Sequence, residues 1–406
     1  MTTECSSFFI RPVQYRDLES IQQLVVEPSA LEHRGSVINW SRQFQQIRRW
    51  YRLLQIFRLF PNPWRYWFWV YVAEVAGQVC GMVQVSPTNR THSTWCIERV
   101  AIAPNQDVSQ DAQGFPGVNE VGPQLLRHCL QTVLEARTWL TEVDVNDKTE
   151  LALYRLNGFQ PLAQITYWAI SSEQIQELAE HEPALPNLLP VSNADAQLLY
   201  QLDTAAMPPL VRQVFDRHIQ DFKCSLMSSL VQSLHQWLNQ MEIISGYVFE
   251  PQRKAAIGYF QLHLCQSPDH PHKAQLTVHP AYTWLYPELM AQMARILQAL
   301  PNPVLHVNSA DYQPEREAYL EQIGASRIAH TLMMSRSVWH KVRETKMVPL
   351  ESLQLSEVLQ GFQPVRKPVP GRISLQPSRR LAQITAEYSA RLEHHAHRLS
   401  ARIRCR

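Results

Sequence analysis

Residues 143–159, VDVNDKTELALYRLNGF, read as a strand, a turn at Asn146 and Asp147, a helix and a closing turn at Gly158. The later part of this stretch has a counterpart, because ELALYRLNGF (150–159) lines up with REAYLEQIGA (316–325). Further toward the N-terminus, ERVAIAP (98–104) lines up with AQLTVHP (274–280). The hairpin VYVAEVAGQVCGMVQV (70–85) lines up with YVFEPQRKAAIGYFQL (247–262) and sets Gly81 opposite Gly258. FIRPVQYRDLESIQQL (9–24) shares its Pro-to-Asp spacing with LLPVSNADAQLLYQL (188–202), Pro12 and Asp17 standing against Pro190 and Asp195. The four offsets, taken in chain order, are 178, 177, 176 and 166. Order and spacing preserved together predict two copies of one unit of about 160 residues.

Each copy orders its elements as strand, helix, hairpin, strand, loop, helix, strand, helix, strand. That order predicts an α+β fold, a mixed sheet with helices on its faces. The first domain is assigned to residues 1–175, ending its last strand near Ile170, and the second to 186–345. Residues 171–187, with Pro183 and Pro186, read as a linker. A Pro-rich linker and a basic helical tail fill 346–406; from 361 onward ten Lys and Arg face two Glu.

Composition narrows the function classes. The 406 residues are 45% hydrophobic and 18% charged, which excludes wholesale disorder. Lys and Arg number 38 against 36 Asp and Glu, so a globally basic nucleic-acid binder is disfavoured. Seven Cys are scattered without a CxxC pair, which fits reduced thiols and gives no metal site. The N-terminal stretch carries no secretory pattern, and the longest apolar run, 66–73, is too short to span a bilayer. A cytoplasmic location is the expectation.

The stretch at 143–159, with its Asn and its LYxxxGF close, resembles the GNAT superfamily of acyl-CoA N-acyltransferases. IRPVQYRDLESI at the start, and IERVAIAP followed by a loop and GPQLLRHCLQTVL, are similar to the family's other motifs. The resemblance covers roughly Phe9 to Ile170, with a weaker match over 188–338. It implies two GNAT-like domains in tandem and acetyl-CoA, or another acyl-CoA, as cosubstrate without a metal. Its pyrophosphate cradle would be Gly117, Val118, Asn119, Val121, Gly122 and Pro123, with Gly122 ending the loop and Pro123 in the first helical turn. Two positions depart from the family pattern: Gly117 stands where Arg or Gln is usual, and Glu120 replaces the middle glycine. By the same resemblance, the backbone of Val100, Ala101 and Ile102 would pair with the pantetheine arm, and Asn146 would contact the cofactor.

The family's chemistry is attack of an acceptor amine on a thioester carbonyl, which needs a proton acceptor and a proton donor. Tyr154, four residues before Gly158, stands where the family keeps a tyrosine acid; the other reading is a packed aromatic. Glu98 stands where the family places a general base. Alternation puts it on one face with Val100 and Ile102, where apolar neighbours would favour a proton-accepting role; a strand-end salt bridge to Arg99 or Arg127 is the other reading. Asn146 equally reads as a turn former with Asp147. In the second copy Ala274 stands opposite Glu98, Leu320 opposite Tyr154 and Tyr286 opposite Gly122. The cradle loop also shrinks there from 18 intervening residues (104 to 123) to six (280 to 287), so the second copy is expected to keep scaffold and lose chemistry.

Segment 40–69, WSRQFQQIRRWYRLLQIFRLFPNPWRYWFW, holds five Trp and six Arg and no acid. Three readings stand for it: an acceptor-pocket wall, a packing helix between the copies, or a membrane-surface helix. The tail helix is open to self-association. Two function classes therefore stand. One is an N-acetyltransferase whose acceptor is an amine-bearing small molecule or protein; the other is a non-catalytic protein of the same fold that binds a partner or a membrane surface.

Overall fold

The computed structural model describes residues 9–26, 68–75, 77–103, 118–223, 241–265, 270–300 and 303–338, without the side chains of residues 25, 26, 118–120 and 241. Most of the aromatic segment 40–69, the loop 104–117 with Gly117, and the linker and tail from 339 onward lie outside the described residues.

The first half runs β1 (Phe9–Pro12), α1 (Leu18–Val26), β2 (Trp69–Val75), β3 (Gln78–Pro87), β4 (Thr94–Ile102), α2 (Val118–Thr132), β5 (Thr138–Asp144), α3 (Lys148–Leu156) and β6 (Gln160–Ile170). After α4 (Ser172–Glu180), the second half runs β7 (Leu188–Pro190), α5 (Ala196–Ala206), α6 (Pro209–Phe215), β8 (Met241–Glu250), β9 (Ala255–Cys265), β10 (His272–Val278), α7 (Leu285–Leu297), β11 (Leu305–Ala310), α8 (Pro314–Gln322) and β12 (Ser326–Ser337). Both halves follow the order expected from the repeat, with α6 added in the second. Gly158 and Gly324 adopt matching positive φ values of 78° and 73° after α3 and α8, a conformation that favours glycine.

All twelve strands form one sheet in the order β1-β2-β3-β4-β5-β12-β6-β11-β10-β9-β8-β7. Read from either end, five strands of one half are followed by the last strand of the other. The halves have thus exchanged their C-terminal strands. β12 lies antiparallel to β5 from Thr331 opposite Asp144 to Ser337 opposite Thr138, and β6 lies antiparallel to β11 from Ile170 opposite Leu305 to Ile165 opposite Ala310. The cores are exchanged with the strands. Leu332 and Met334 of β12 pack with Trp95, Trp139, Tyr154 and Phe159 of the first half, whereas Trp168 and Ile170 of β6 pack with Leu262, Leu289 and Met293 of the second. Trp168 also donates its indole N–H to Ser309 Oγ at 2.9 Å.

A second seam joins the turn after β3 to the end of α6. Thr94 Oγ1 donates to the Val214 carbonyl at 2.8 Å, Ser93 Oγ to Asp216 Oδ2 at 2.6 Å, and Asn89 Nδ2 to the Asp216 carbonyl at 3.0 Å.

Residues 171–187, expected as a linker, instead open with a helix. Ser171 caps α4, its backbone N–H donating to Gln174 Oε1 at 2.8 Å while its hydroxyl accepts from Gln174 N–H, and Ile175 and Ala179 are buried in the second core. The Ser-x-x-Gln spacing carried that signal; the later prolines masked it. Among the described residues, no helix is long and apolar enough to cross a membrane.

Candidate functional site

β4 and β5 run parallel only from Thr94 opposite Thr138 to Ile97 opposite Thr141. β4 then continues through Ile102 bound to β3 alone, so its β5-facing edge leaves the ladder at Glu98. The ladder to β3 is interrupted at the same point. Val85 faces Ile97 and Gln84 faces Arg99, which leaves Glu98 as the extra residue of a bulge. Its side chain is exposed and accepts a hydrogen bond from Ser86 Oγ at 2.5 Å.

The bulge corrects the expectation from alternation. Val100 and Ile102 pack against the first core, but the extra residue takes Glu98 off their face and into solvent. A strict two-residue period could not foresee the insertion.

α2 starts earlier than expected. Its first residue is Val118, so Gly122 is the fifth helical residue and Pro123 the sixth. The open N–H groups of the first turn therefore fall at residues 118–120, ahead of Gly122, and Pro123 sits inside the helix and not in its first turn. Gly122 also sits at a close approach. A Cβ there would stand 3.0 Å from Ile102 Cδ1 and 3.0 Å from Leu153 Cδ1, so the missing side chain lets α2 approach β4 and α3 together. Val121 is buried one turn before Leu125, and both lie over Gly81, where a Cβ would come within 2.9 Å of Val121 Cγ1. Gly117 lies outside the described residues, as do the side chains of Val118, Asn119 and Glu120.

Tyr154 is fully buried, with its ring edge-on to Phe159 at 5.3 Å between centroids. Asn146 is exposed in the turn after β5, where its backbone N–H donates to Asp144 Oδ1 at 2.8 Å; Asp147 then caps α3 by accepting the Glu150 N–H at 2.9 Å. β4 and the start of α3 thus surround one opening edge, with Glu98 at its root. Ala101 is half-buried against the opposite core around Met82.

The second half treats the same place differently. β10 pairs in parallel with β11 only at His272 and Lys273, then continues to Val278. Its ladder to β9 has no bulge, and Ala274 faces Leu262, the counterpart of Val85. Ala274 therefore matches Ile97, and Glu98 has no counterpart, which corrects the Ala274 alignment by one residue. Tyr286, at the Gly122 position, is buried in the second core. Arg316, at the Glu150 position, is 4% exposed; its Nη1 donates to the Leu276 carbonyl at 3.1 Å and to Gln313 Oε1 at 3.2 Å. Leu276 matches Val100, so this half closes its diverging strand edge with its own guanidinium. The sequence carried the cue in the charge reversal at the head of ELALYRLNGF and REAYLEQIGA. Ser86 carried no such cue.

No family model matches the chain, and no curated protein matches it either. Solved structures do. A tandem GNAT protein from the clavulanic acid biosynthesis pathway, solved without AcCoA, is 13% identical and superposes with a TM-score of 0.51 over 82% of this chain and 98% of its own. A GCN5-related N-acetyltransferase from Sphaerobacter thermophilus is 12% identical over 81% of this chain and 95% of its own, with a TM-score of 0.48. One from Anabaena variabilis ATCC 29413 is 15% identical over 82% and 73%, with a TM-score of 0.44. At such identities the likeness is one of architecture, and with the duplicated element order it establishes that this chain has a tandem GNAT fold.

Proposed function

We propose that the first half is an acyl-CoA-dependent N-acyltransferase, with acetyl-CoA as the simplest cosubstrate and an amine as acceptor. The observation that carries the reading is the strand edge from Glu98 to Ile102, which diverges from β5 at a bulged carboxylate in this half alone. A strand edge released from its neighbour offers backbone N–H and C=O groups to the amide-bearing arm of the cosubstrate, and Val100, Ala101 and Ile102 supply them. The cosubstrate brings an activated thioester carbonyl. Glu98 accepts the proton of the attacking amine while the C–N bond forms and the C–S bond breaks, CoA leaving as its thiolate with the C–S electron pair, and Ser86 holds the carboxylate in place. Asn146 and the open N–H groups of residues 118–120 flank the same edge and would meet the polar parts of the cosubstrate.

The second reading, a non-catalytic protein of the same fold, is favoured by one observation: the phenol expected to protonate the leaving thiolate belongs to a side chain buried in the core. Thermal unfolding with and without acetyl-CoA separates the two. Saturation at about 100 times the dissociation constant should add about 2.7 kcal/mol of stability. With an amine acceptor, Glu98→Gln should then lower turnover while leaving that stabilisation in place. Absence of any stabilisation by acetyl-CoA would leave the non-catalytic reading standing.

A further inference from the structure

Arg316 is buried on every side yet only half used. Nη1 has two acceptors, the Leu276 carbonyl and Gln313 Oε1, while Nε and Nη2 have no hydrogen-bond partner and no solvent. No ion pair to Arg316 occurs among the described residues, whereas Arg11, the other arginine buried there, pairs with Asp17 at 2.6 Å. Burial pushes the Arg316 guanidinium down to about 10, so it remains a cation at neutral pH. An orphaned cation in a core is strongly unfavourable unless something meets it.

The two idle nitrogens are the side-on edge of the guanidinium, whose parallel N–H groups match the two oxygens of one carboxylate. We propose that the second half binds a small-molecule carboxylate on the Nε and Nη2 edge of Arg316, between α7, α8 and β10. Tyr286 of α7 and Tyr312 of the turn before α8 lie within electrostatic range of this charge. The charge balance selects a monoanion. Asp203 and Arg217, which lie near Tyr312, are paired at 2.8 Å, and Asp311 and Glu315 are exposed, so one uncompensated positive charge faces the interior. A phosphate dianion would leave net negative charge in a low-dielectric site, and a water molecule would leave the positive charge uncompensated. This site stands apart from the strand edge at Glu98 and does not depend on acyl transfer.

The test is thermal unfolding of the full chain in sodium acetate, with sodium chloride and sodium phosphate at matched ionic strength and no acetyl-CoA present. In parallel, the carboxylate resonance of 13C-labelled acetate is followed by NMR as protein is added. Acetate should raise the unfolding temperature by a few degrees and its resonance should broaden. Arg316→Met and Arg316→Lys should lose both effects, whereas Glu98→Gln should keep them. Arg316→Met removes the orphaned cation and should unfold no earlier than the acetate-free wild type, which separates loss of binding from loss of fold. An acetate response that persists in Arg316→Met, an equal response to chloride, a stronger one to phosphate, or no response of the wild type by either readout would each overturn the proposal.

Discussion

The two halves share a ladder and differ in what they place at equivalent points. Both bring a glycine under the long helix, Gly81 under α2 and Gly258 under α7, and both open the edge of their fourth strand. The first half then inserts Glu98 and keeps a small residue at 122; the second omits the insertion, fills the matching position with Tyr286 and turns Arg316 onto its own backbone. The helix-start aspartates diverge as well. Asp17 accepts the Arg11 guanidinium at 2.6 and 2.8 Å, with Glu74 on the same arginine, whereas Asp195 accepts the Tyr247 hydroxyl at 2.9 Å. Duplication has preserved what sets backbone geometry and released what sets local charge.

Three experiments press on this comparison. The largest effect belongs to the exchanged strands: Trp168→Ala should cost about 3–5 kcal/mol. The loss should fall on the half to which Trp168 does not belong by sequence, read as faster amide exchange in β10 and β11 with little change in β2 and β3; loss confined to the first half would break the exchange. Next comes Asp17→Asn, expected to cost about 3 kcal/mol because it leaves a buried guanidinium with Glu74 alone, against about 1 kcal/mol for Asp195→Asn. Burial works against the Asp17 charge, but hydrogen bonds from Arg11 and from Gln14 N–H outweigh it and hold the group below the ordinary value of 3.8. Its stabilisation is therefore complete above about pH 3.8 and is lost as pH falls through the lower, folded value, so urea unfolding of wild type and Asp17→Asn should converge in acid. The smallest is a pair of glycines. Gly81→Ala meets a β-branched Val121 at 2.9 Å and should cost about 1–3 kcal/mol, while Gly258→Ala meets leucine methyls at 3.1 Å and should cost less, as denaturant midpoints will report.

Much of the fold was legible because its cues are local. Pro12 and Asp17, Gly81 and Gly258, and Gly158 and Gly324 mark turns, caps and close approaches that depend on neighbours in sequence. The exchange of β6 and β12 was not legible, since antiparallel partners on either side of the junction satisfy the same period-two pattern. At the candidate site, the positions of Glu98, Val100 and Gly122 were readable, but their surroundings were not. The bulge that exposes Glu98 exists only relative to β3, and the start of α2 at Val118 depends on packing that lets Gly122 sit within the helix. Arg316 became visible as a functional group only when its burial was known.

The position of β6 in the sheet has a consequence for how the protein is made. Both strands that pair with Gln160–Ile170, β11 and β12, lie in the second half, so on the ribosome this strand emerges with both edges bare. At ordinary synthesis rates, the last residue of β12, Ser337, follows Ile170 by roughly ten to thirty seconds. Throughout that interval β5 and β6 present open hydrogen-bonding edges on a nascent chain, so chaperone demand should peak midway through translation and subside once the final strand slides between them.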